Sequence, residues 1–374
     1  MTKWETRCLG DVADLSLGKM LDQRKNRGDP LPYLANINVR WGEFDLDSLR
    51  EMRFEENEKE RFGLKFGDIV MCEGGEPGRC AIWKEPIFEM MFQKALHRIR
   101  PHECLDSRFL FYAFLHKGRM NGFAGLFTGS TIKHLPAEKL AKLEIEFPEL
   151  PQQRRIADVL SAYDELIENN RRRMRLLEEG ARLLYREWFV RLGFPGHEHT
   201  RIIDGVPQGW GRVPLGERVT LNYGKSLKED ERIEGPVPVY GSSGIVGSHQ
   251  QALTKGPGIV VGRKGNVGRV YWSSKDFWPI DTVYFVSAET SNLYLFYALK
   301  EMHFMSTDVA VPGLNRDFAY SRDLVFPPTN MLREFLQIVS PMHEQIDKLD
   351  EQNQKLRAAR DLLLPRLMTG EICT

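Results

Sequence analysis

The sequence has few of the features that mark secreted, membrane or metal-binding proteins. No stretch approaches the ~20 apolar residues that a transmembrane helix needs, and the first residues lack the apolar core of a signal peptide. The five cysteines, Cys8, Cys72, Cys80, Cys104 and Cys373, match neither a zinc-binding spacing nor an obvious disulfide framework. We therefore expect a cytoplasmic protein with reduced thiols.

Net charge is absent as well. Basic and acidic residues both number 52 among the 374. The two halves are also balanced, with 23 basic and 24 acidic side chains in residues 1–150, and 14 and 13 in residues 201–328. Because sequence-independent DNA affinity comes largely from neutralising phosphates, such a chain should bind DNA weakly by itself. A DNA-binding role would require clustered basic residues, or charge supplied by partner proteins.

Catalytic signatures are also missing. The sequence has no phosphate loop ending in Lys-Ser/Thr, no nucleophile elbow, no HExxH and no Asn/Asp-Pro-Pro-aromatic motif. The glycines of GRKGNVG (262–268) form a weak dinucleotide fingerprint, but the matching residues 74–79 are acidic and contain a proline. The segment His197-Glu198-His199 resembles a metal-ligand set, although a solvated connector explains it better. We therefore expect no catalytic, cofactor or metal site in this chain.

What the sequence does contain is an internal duplication. Trp4, Leu9, Gly10, Gly18 and Lys19 recur 206 positions later as Trp210, Leu215, Gly216, Gly224 and Lys225. Residues 69–79 resemble residues 259–269, and the LFYA of residues 110–113 recurs at residues 295–298. A repeat of nearly half the chain indicates tandem domains rather than a solenoid of short units. Within the first copy, patterning predicts strands at residues 67–72 and 143–147 and a helix over residues 106–120.

Each copy ends in a long helical segment with an apolar residue every three or four positions. The first seam is Leu160, Tyr163, Ile167, Asn170, Met174, Leu177, Ala181, Leu184 and Trp188. The second, 179 positions later, is Val339, Met342, Ile346, Leu349, Asn353, Leu356, Arg360, Leu363 and Leu367. Such spacing favours a coiled coil over two helices that each pack on their own domain. We expect the pair to be intramolecular and antiparallel, with facing residue numbers that sum to about 527.

Four details of these segments remain expectations. Asn170 and Asn353 either fix the register from buried positions or lie at a solvated edge. Pro341 predicts a kink or a fresh helix start after Ser340, and Pro365 should end the helix near Leu364. Residues 193–211, rich in glycine and proline, should form an irregular connector.

The remaining polar and cationic residues lie in glycine-containing loops of both copies. Small neighbours leave long cationic side chains free to reach a phosphate or a guanine, and hydroxyl and amide groups suit base edges. For any one residue an ordinary solvated loop is the alternative. The candidate DNA-binding residues are Lys225, Ser242, Ser243, Arg263, Lys264, Arg269, Asn315 and Arg316 in the second copy, and Arg79, Ser130, Thr131 and Lys133 in the first.

Taken together, these motifs resemble the specificity subunit of a type I restriction–modification system over essentially all 374 residues. The resemblance is carried by the opening Trp-x4-Leu-Gly and by four longer stretches. They are PVPVYGSSGIVG (236–247), GPGIVVGRKGNVGRVYW (256–272), WPIDTVYFV (278–286) and the helical segment 150–189, which contains Gln152, Gln153, Ile156, Leu160, Asp164, Ile167 and Asn170. The first copy lacks the VYGSSG stretch, so its DNA contacts cannot be transferred from the second.

The resemblance implies an α+β fold, with two tandem mixed α/β target-recognition domains separated by two long helices in an antiparallel coiled coil. The first domain would span residues 1–150, its helix 151–192, the connector and second domain 193–328, and the second helix with a tail 329–374. It also implies a non-catalytic subunit that reads a bipartite double-stranded DNA target. The partners would be two modification (methyltransferase) subunits, which bind S-adenosylmethionine and methylate adenine, and an ATP- and Mg-dependent restriction subunit. This chain would bind no cofactor itself, and membrane association is not expected.

Two other interpretations stay open at this point. The chain could be a free-standing DNA-binding regulator that dimerises through its coiled coil, or a fused nuclease–methyltransferase without its catalytic half. A geometric expectation follows from the helix. From Leu160 to Trp188 the rise is about 42 Å at ~1.5 Å per residue, or about 12 bp of DNA at ~3.4 Å each. Two domains held at that spacing would face one side of a duplex.

Overall fold

The computed structural model describes residues 4–20, 22, 26–47, 49–84, 87, 89–302, 304 and 313–372. The chain divides into two compact units. Unit 1 comprises Met1–Glu168 and Asn353–Thr374, and unit 2 comprises Asn169–Gln352. Each unit therefore combines one repeat with segments of both long helices.

In its described residues, the first repeat has nine short strands, and it ends in a long helix. The strands are β1 Glu5–Cys8, β2 Ala13–Leu17, β3 Asp29–Leu34, β4 Arg50–Phe54, β5 Ile69–Cys72, β6 Cys80–Ile82, β7 Met91–Phe92, β8 Leu96–Pro101 and β9 Glu144–Phe147. The helices are α1 Leu9–Val12, α2 Glu56–Phe62, α3 Ser107–Arg119, α4 Ala137–Ala141 and α5 Leu150–Tyr185. The predicted strands 67–72 and 143–147 correspond to β5 and β9, and the helix predicted over 106–120 is α3, so these predictions are confirmed.

The second repeat follows the same order after a small hairpin. Its strands are β10 Ile202–Ile203, β11 Val206–Pro207, β12 Gly211–Pro214, β13 Asn222–Tyr223, β14 Val237–Gly241, β15 Gly244–His249, β16 Gly258–Gly262, β17 Val270–Ser273, β18 Trp278–Pro279, β19 Val283–Val286 and β20 Asp323–Phe326. Its helices are α6 Leu293–Glu301, α7 Arg316–Tyr320 and α8 Thr329–Met368. The expected irregular connector thus contains the β10–β11 hairpin and a 3-10 turn at His197–His199.

The sheets of the two repeats match strand for strand. The first repeat has a four-stranded sheet in the order β2-β8-β5-β6, a three-stranded sheet β4-β3-β7 and the pair β1-β9. The second has β13-β19-β16-β17, β15-β14-β18 and β12-β20. Even the parallel pair recurs, as β3 with β7 and β14 with β18. The duplication inferred from the sequence is therefore a duplication of the whole fold.

The repeated Gly-Lys pair has a structural reason. A Cβ atom at Gly18 would lie 2.3 Å from the Phe92 carbonyl oxygen, and one at Gly224 would lie 2.1 Å from the Ile280 carbonyl oxygen. No side chain fits at either place, because neighbouring backbone passes too close. The lysine that follows each glycine donates its backbone N–H to that neighbouring segment.

The two lysines themselves differ in environment. Lys19 is buried, and its Nζ donates to Glu58 at 2.5 Å and to the Arg53 carbonyl at 2.8 Å. Burial opposes the ionised form of Glu58, but the hydrogen bonds from Lys19 and the Glu55 backbone, together with the positive charges of Lys19 and Arg61, outweigh that effect and lower the Glu58 pKa. Lys225 is exposed, because residues 250–257, between β15 and β16, contain no counterpart of helix α2. The same residue type is structural in one repeat and available at the surface in the other.

Helix α5 begins where the motif Gln152-Gln153 lies. Gln153 is fully buried, and its amide nitrogen donates to the carbonyls of Cys104 and Pro148 at 3.0 and 2.8 Å. Its amide oxygen accepts the backbone N–H of Asp106 at 2.9 Å. Because a buried amide is stable only when its polar atoms are paired, this glutamine fixes the start of α5 against the loop that precedes α3.

Every residue of the two predicted seams is shielded from solvent at least in part. Leu160, Ile167, Asn170, Ala181, Trp188, Val339, Leu349, Asn353 and Leu367 are buried. The half-buried members are Tyr163, Met174, Leu177, Leu184, Met342, Ile346, Leu356, Arg360 and Leu363. The solvated-edge alternative for the two asparagines is therefore wrong.

Contacts inside each unit give the direction of the helices. In unit 1 the guanidinium of Arg360, late in α8, bonds the carboxylate of Asp164, early in α5. In unit 2 Trp188, just beyond α5, packs its ring against Phe335 near the start of α8, with centroids 6.1 Å apart. The paired numbers sum to 524 and 523, close to the expected 527. The predicted antiparallel, mixed α and β fold class is confirmed.

Two expectations for α8, a fresh helix start after Ser340 and a helix end near Leu364, are wrong. The helix runs without interruption from Thr329 to Met368, through Pro341 and Pro365. A proline inside a helix removes one hydrogen bond and crowds the preceding turn, at about 3 kcal/mol. Around Pro365 this cost is offset by apolar burial, since Leu364, Leu367 and Met368 all lie in the core of unit 1. Each fully buried leucine contributes about 1.5–3 kcal/mol.

Glycine substitutions should distinguish a glycine that permits close backbone contact from a glycine with free space around it. Gly224→Ala places a Cβ against backbone carbonyls, so we expect the free energy of unfolding to fall by about 1–3 kcal/mol. In the matched control Gly180→Ala, the new Cβ meets nothing within 4 Å inside helix α5, and stability should rise by about 0.5–1 kcal/mol. Urea unfolding of both variants measures the difference; equal effects would contradict the close approach at Gly224.

A half-buried histidine in unit 2 predicts acid sensitivity. Burial lowers the His343 pKa to about 4, and its Nε2 lies 2.8 Å from the Tyr297 hydroxyl. The unfolded chain binds a proton near pH 6.5, whereas the folded chain does not until about pH 4, so stability is complete above pH 6.5 and falls as the pH drops through this window. The loss should approach about 3 kcal/mol. In His343→Gln, the pH slope of the unfolding free energy should be shallower by about one proton; an unchanged slope would contradict this assignment.

Candidate nucleic-acid interface

The glycine-rich loop of unit 2 is a tight hairpin between β16 and β17. The backbone N–H of Gly262 donates to the Arg269 carbonyl at 2.8 Å, and Gly268 donates back to the Gly262 carbonyl at 2.9 Å. Gly265 and Gly268 have φ angles of +77° and +74°, which residues with a side chain rarely adopt. The loop therefore keeps its shape through backbone geometry, and Lys264 and Arg269 extend from it into solvent.

Two neighbouring loops contact this hairpin. Lys264 forms an antiparallel bridge with Gly313, and the Leu314 N–H donates to the Arg263 carbonyl at 2.8 Å. On the other side, the Ser242 hydroxyl accepts the Asn266 N–H at 3.4 Å. We call Ser242, Ser243 and residues 263–269 and 313–316 the unit 2 loop surface. Val311 and Pro312, which precede it in the sequence motif, lie outside the described residues.

Two arginines of this surface stack on one tyrosine that the sequence analysis missed. The guanidinium carbons of Arg263 and Arg316 lie 5.3 and 5.1 Å from the centre of the Tyr223 ring. Arg263 also donates through Nε and Nη2 to the Asp281 carbonyl, at 3.2 and 2.7 Å. Cation–π stacking holds both side chains without neutralising them. The exposure of Tyr223, at 51%, could not be read from its position in strand β13.

A buried tyrosine supports this arrangement from below. The Tyr284 ring packs edge-on against Tyr223 at 5.1 Å, and its hydroxyl donates to the Leu314 carbonyl at 3.2 Å. Burial, together with the Tyr223 hydroxyl, raises the pKa of Tyr284. The phenol therefore stays protonated and remains a hydrogen-bond donor, which fixes residues 313–316 to the central sheet.

The other candidates of unit 2 are placed as follows. Lys225 is exposed, while its carbonyl accepts the indole N–H of Trp278 at 2.9 Å. Ser243 is exposed at the turn between β14 and β15. The Asn315 side-chain oxygen caps helix α7 by accepting two backbone N–H groups. That oxygen is committed to the fold, which sequence reasoning did not separate from a binding role.

Unit 1 carries an equivalent surface with different chemistry. Gly74, in the loop between β5 and β6, bridges to His134, as Lys264 bridges to Gly313 in unit 2. The His134 Nδ1 lies 3.1 Å from the carboxylate of Glu73. Glu73 is the counterpart of Arg263 in the second repeat. Ser130, Thr131 and Lys133 are exposed on the neighbouring segment. We call residues 73–79 and 128–134 the unit 1 loop surface.

One candidate of unit 1 is anchored rather than free. The Arg79 guanidinium donates to the Asn36 carbonyl at 3.0 Å and pairs with Glu76 at 2.8 Å, and only 12% of its side chain is exposed. Buried His97 plays a similar supporting part, since its Nε2 lies 2.7 Å from the Leu135 carbonyl and must donate to it. Burial lowers the His97 pKa, which keeps the ring neutral.

Over the parts of the chain that the structure describes, no three His, Cys, Asp or Glu side chains lie together in a way that could hold a metal ion. In the connector, the His197 Nδ1 lies 2.9 Å from the Phe194 carbonyl. The described residues also include no helix with the length and apolarity to span a bilayer.

Two repeats of one fold, each with a surface of polar loops held by glycine turns, define a duplicated recognition protein. The chain belongs to the family of the type I restriction modification DNA specificity domain, whose profile matches residues 1–179 and 207–357. The chain is 23% identical to the type I restriction enzyme MjaIX specificity subunit of Methanocaldococcus jannaschii, over 99% of this chain and 93% of that protein. It is 26% identical to the putative type I specificity subunit S.MgeORF438P of Mycoplasma genitalium, over 64% of this chain and 58% of that one.

A solved structure supports the fold independently. The crystal structure of a type I restriction–modification S subunit from M. genitalium superposes with a TM-score of 0.58 at 21% identity, covering 98% of this chain and 96% of that one. The resemblance stated from sequence motifs is therefore confirmed, both for the family and for the fold.

Substitutions should separate anchored from surface cations. Arg79→Ala removes the charged donor to the Asn36 carbonyl and the ion pair with Glu76, so we expect the free energy of unfolding to fall by about 1–3 kcal/mol. Lys264→Ala removes an exposed side chain and should change stability by less than about 0.5 kcal/mol. If Lys264 contacts a phosphate, the same variant should lower the salt slope of DNA binding by the assembled complex by about one unit. Unchanged affinity, slope and specificity would contradict its assignment.

Proposed function

We propose that this type I specificity subunit reads a bipartite double-stranded DNA target, with one repeat for each part, and has no catalysis of its own. The observation that carries the proposal is the recurrence of a loop surface at the same place in both repeats. Each surface is built on a glycine hairpin of the four-stranded sheet, and this hairpin contacts the segment before the last short helix. A duplicated scaffold with two such surfaces suits the recognition of two separate DNA sequences.

The two surfaces differ in the groups that they would offer to DNA. The unit 2 surface has Lys264, Arg269 and the stacked Arg316, whose cationic groups suit phosphates and the O6 and N7 acceptors of guanine. The unit 1 surface has Glu73 and exposed Ser130 and Thr131, and a carboxylate accepts hydrogen bonds from cytosine or adenine amino groups. Two parts of different sequence follow from this difference.

Neutral charge argues for assembly before DNA is held firmly. We propose that two methyltransferase subunits dock on the long helices and contribute charge, methylate adenine with bound S-adenosylmethionine, and act with a restriction subunit that uses ATP and Mg. Exposed apolar side chains on the helices support docking. They are Val159, Leu166, Leu176 and Leu183 on α5, and Ile338 and Leu362 on α8. Two of them recur at the 179-residue offset, Val159 as Ile338 and Leu183 as Leu362, which suits two copies of one partner. Such a complex would act in the cytoplasm, with its DNA.

The test is an exchange of recognition domains. Residues 201–328 are replaced by the second domain of another family member, and the hybrid is expressed with its cognate modification subunit. Sequencing of methylated bases should show one half of the target changed and the other half retained. As a matched control, the exposed pair Glu187 and Arg191 is exchanged in sign, which should leave the whole target unchanged.

Other outcomes would overturn the proposal. A change in both halves would contradict independent reading by the two repeats. Binding of the unexchanged chain to its DNA target as a coiled-coil dimer, with no association with a methyltransferase, would instead favour the free-standing regulator.

A further inference from the structure

Each unit is completed by a helix end that belongs to the other half of the sequence. With the chain divided at the β10–β11 turn, the first half is residues 1–204 and the second is 205–374. The core of unit 1 contains Leu364, Leu367 and Met368 from the second half. The core of unit 2 contains Tyr185, Trp188 and Phe189 from the first half. The two sets occupy equivalent positions, 179 residues apart, but differ in size.

We call the received side chains the guests and the surrounding core residues the hosts. In each unit the size of the hosts matches the size of the guests. In unit 2 the Phe189 ring packs edge-on against Tyr294 at 4.9 Å and against Phe335 at 5.0 Å, and also meets Trp210 at 5.7 Å. The equivalent host positions in unit 1 are Trp4, Phe109 and Ile156. Phe335 is thus replaced by the smaller Ile156, just as the three aromatic guests are replaced by Leu364, Leu367 and Met368.

Charged groups beside these ends are also paired in opposite senses. In unit 1, Asp164 of α5 bonds Arg360 of α8 and accepts the Tyr112 hydroxyl at 2.7 Å. Next to them, Arg119 at the end of α3 pairs with Asp361 of α8 at 2.8 Å. The first half therefore supplies an acid and a base to this layer, and the second half supplies their partners.

In the equivalent layer of unit 2, one ion pair has its signs reversed and the other is absent among the described residues. Glu301, at the end of α6, pairs with Arg182 of α5 at 3.0 Å, and Arg182 is the counterpart of Asp361. His343 takes the position of Asp164 and lies against Tyr297, while buried Ala181 takes the position of Arg360. At this position of the long helix, unit 2 requires the cation of Arg182, whereas unit 1 requires the carboxylate of Asp361.

Pairing of the first half with a second copy of itself would break both ion pairs of this layer in unit 1. Arg182 would take the place of Asp361 and lie beside Arg119, which opposes like charges. Ala181 would take the place of Arg360 and leave Asp164 without a cation. Removing one partner of a half-buried pair is more destabilising than never having the pair.

Pairing of the second half with itself fails for the converse reason. Asp361 would take the place of Arg182 and lie beside Glu301, again opposing like charges. Arg360 would lie beside His343 with no carboxylate from Asp164. The smaller apolar end would also leave a cavity among the aromatic hosts, while three aromatic guests would overpack unit 1.

We infer that the two halves of this chain are selective partners: the ends of α5 and α8 favour pairing of unlike halves and disfavour pairing of either half with a second copy. The selectivity rests on one size match and one reversed ion pair in each unit. It would keep the intact chain monomeric, because self-pairing between chains requires a dimer.

The experiment uses the full chain with a protease site inserted at the exposed Asp204-Gly205 turn, a loop tip that should tolerate insertion. The protein is purified, cleaved, and mixed with an isotopically labelled copy in mild urea, which is then removed. Native mass spectrometry counts the pairs. If the halves did not discriminate, self-pairs would make up half of all pairs. Selective halves should give at least about fivefold fewer self-pairs, which corresponds to a preference of ~1 kcal/mol or more.

One double variant removes the charge contribution to the discrimination while keeping an ion pair between positions 119 and 361. Arg119→Glu with Asp361→Arg restores this pair of unit 1 in reversed form and gives up the second pair of Asp361, with Arg360. It also replaces the like-charge contact of each self-pair by an opposite-charge contact, with position 119 facing Arg182 and position 361 facing Glu301. Self-pairs should rise several-fold. The matched control, Glu187→Arg with Arg191→Glu, reverses an exposed pair within one helix and should change nothing.

A second measurement needs no cleavage. Analytical ultracentrifugation of the intact chain should show a monomer for the natural sequence and a larger dimer fraction for the double variant. Self-pairs at the statistical level in the natural sequence, or an unchanged pair composition and dimer fraction in the double variant, would overturn the inference.

Discussion

The burial of two exchanged helix ends is the interaction on which the rest of this structure depends. Neither repeat closes its own core. Unit 1 needs the last turns of α8, and unit 2 needs the last turns of α5 with the aromatic residues that follow. An isolated repeat would expose this apolar surface, so the long helices stabilise the recognition folds as well as connecting them. This requirement also explains why α8 continues through Pro365, whose helix-breaking tendency is weaker than the burial that follows it.

Much of this organisation could be predicted from the sequence, because it is encoded locally or periodically. The 206- and 179-residue offsets reveal the duplication, and the 3-4 spacing reveals both seams. The glycine hairpins were also legible, since Gly265 and Gly268 adopt angles that few other residues accept. Each of these signals lies within one segment or in the comparison of two equivalent segments.

Other features depend on contacts between distant segments and had no local signal. Lys19 and Lys225 are equivalent in sequence, yet Lys19 pairs with Glu58 of helix α2 whereas Lys225 is exposed, because residues 250–257 of the second repeat form no counterpart of α2. Arg79 resembles a free cation until the Asn36 carbonyl is placed beside it. Tyr223 was overlooked because its role comes from two arginines that lie 40 and 93 positions further along the chain. The predicted helix end at Pro365 was wrong for the same reason, since the compensating contacts of Leu364, Leu367 and Met368 are tertiary.

Within each loop surface, the neighbouring loops are joined mainly by backbone groups. Lys264 meets Gly313 through a main-chain bridge, Leu314 binds the carbonyl of Arg263, and Gly74 meets His134 in the same way. Amides and carbonyls are present whichever side chain is attached, so most positions on these surfaces can change residue without loss of the framework. On such a scaffold, the shape of the surface and its binding preference can evolve separately. Point substitutions can change the target that is preferred, while the architecture that presents the side chains stays fixed.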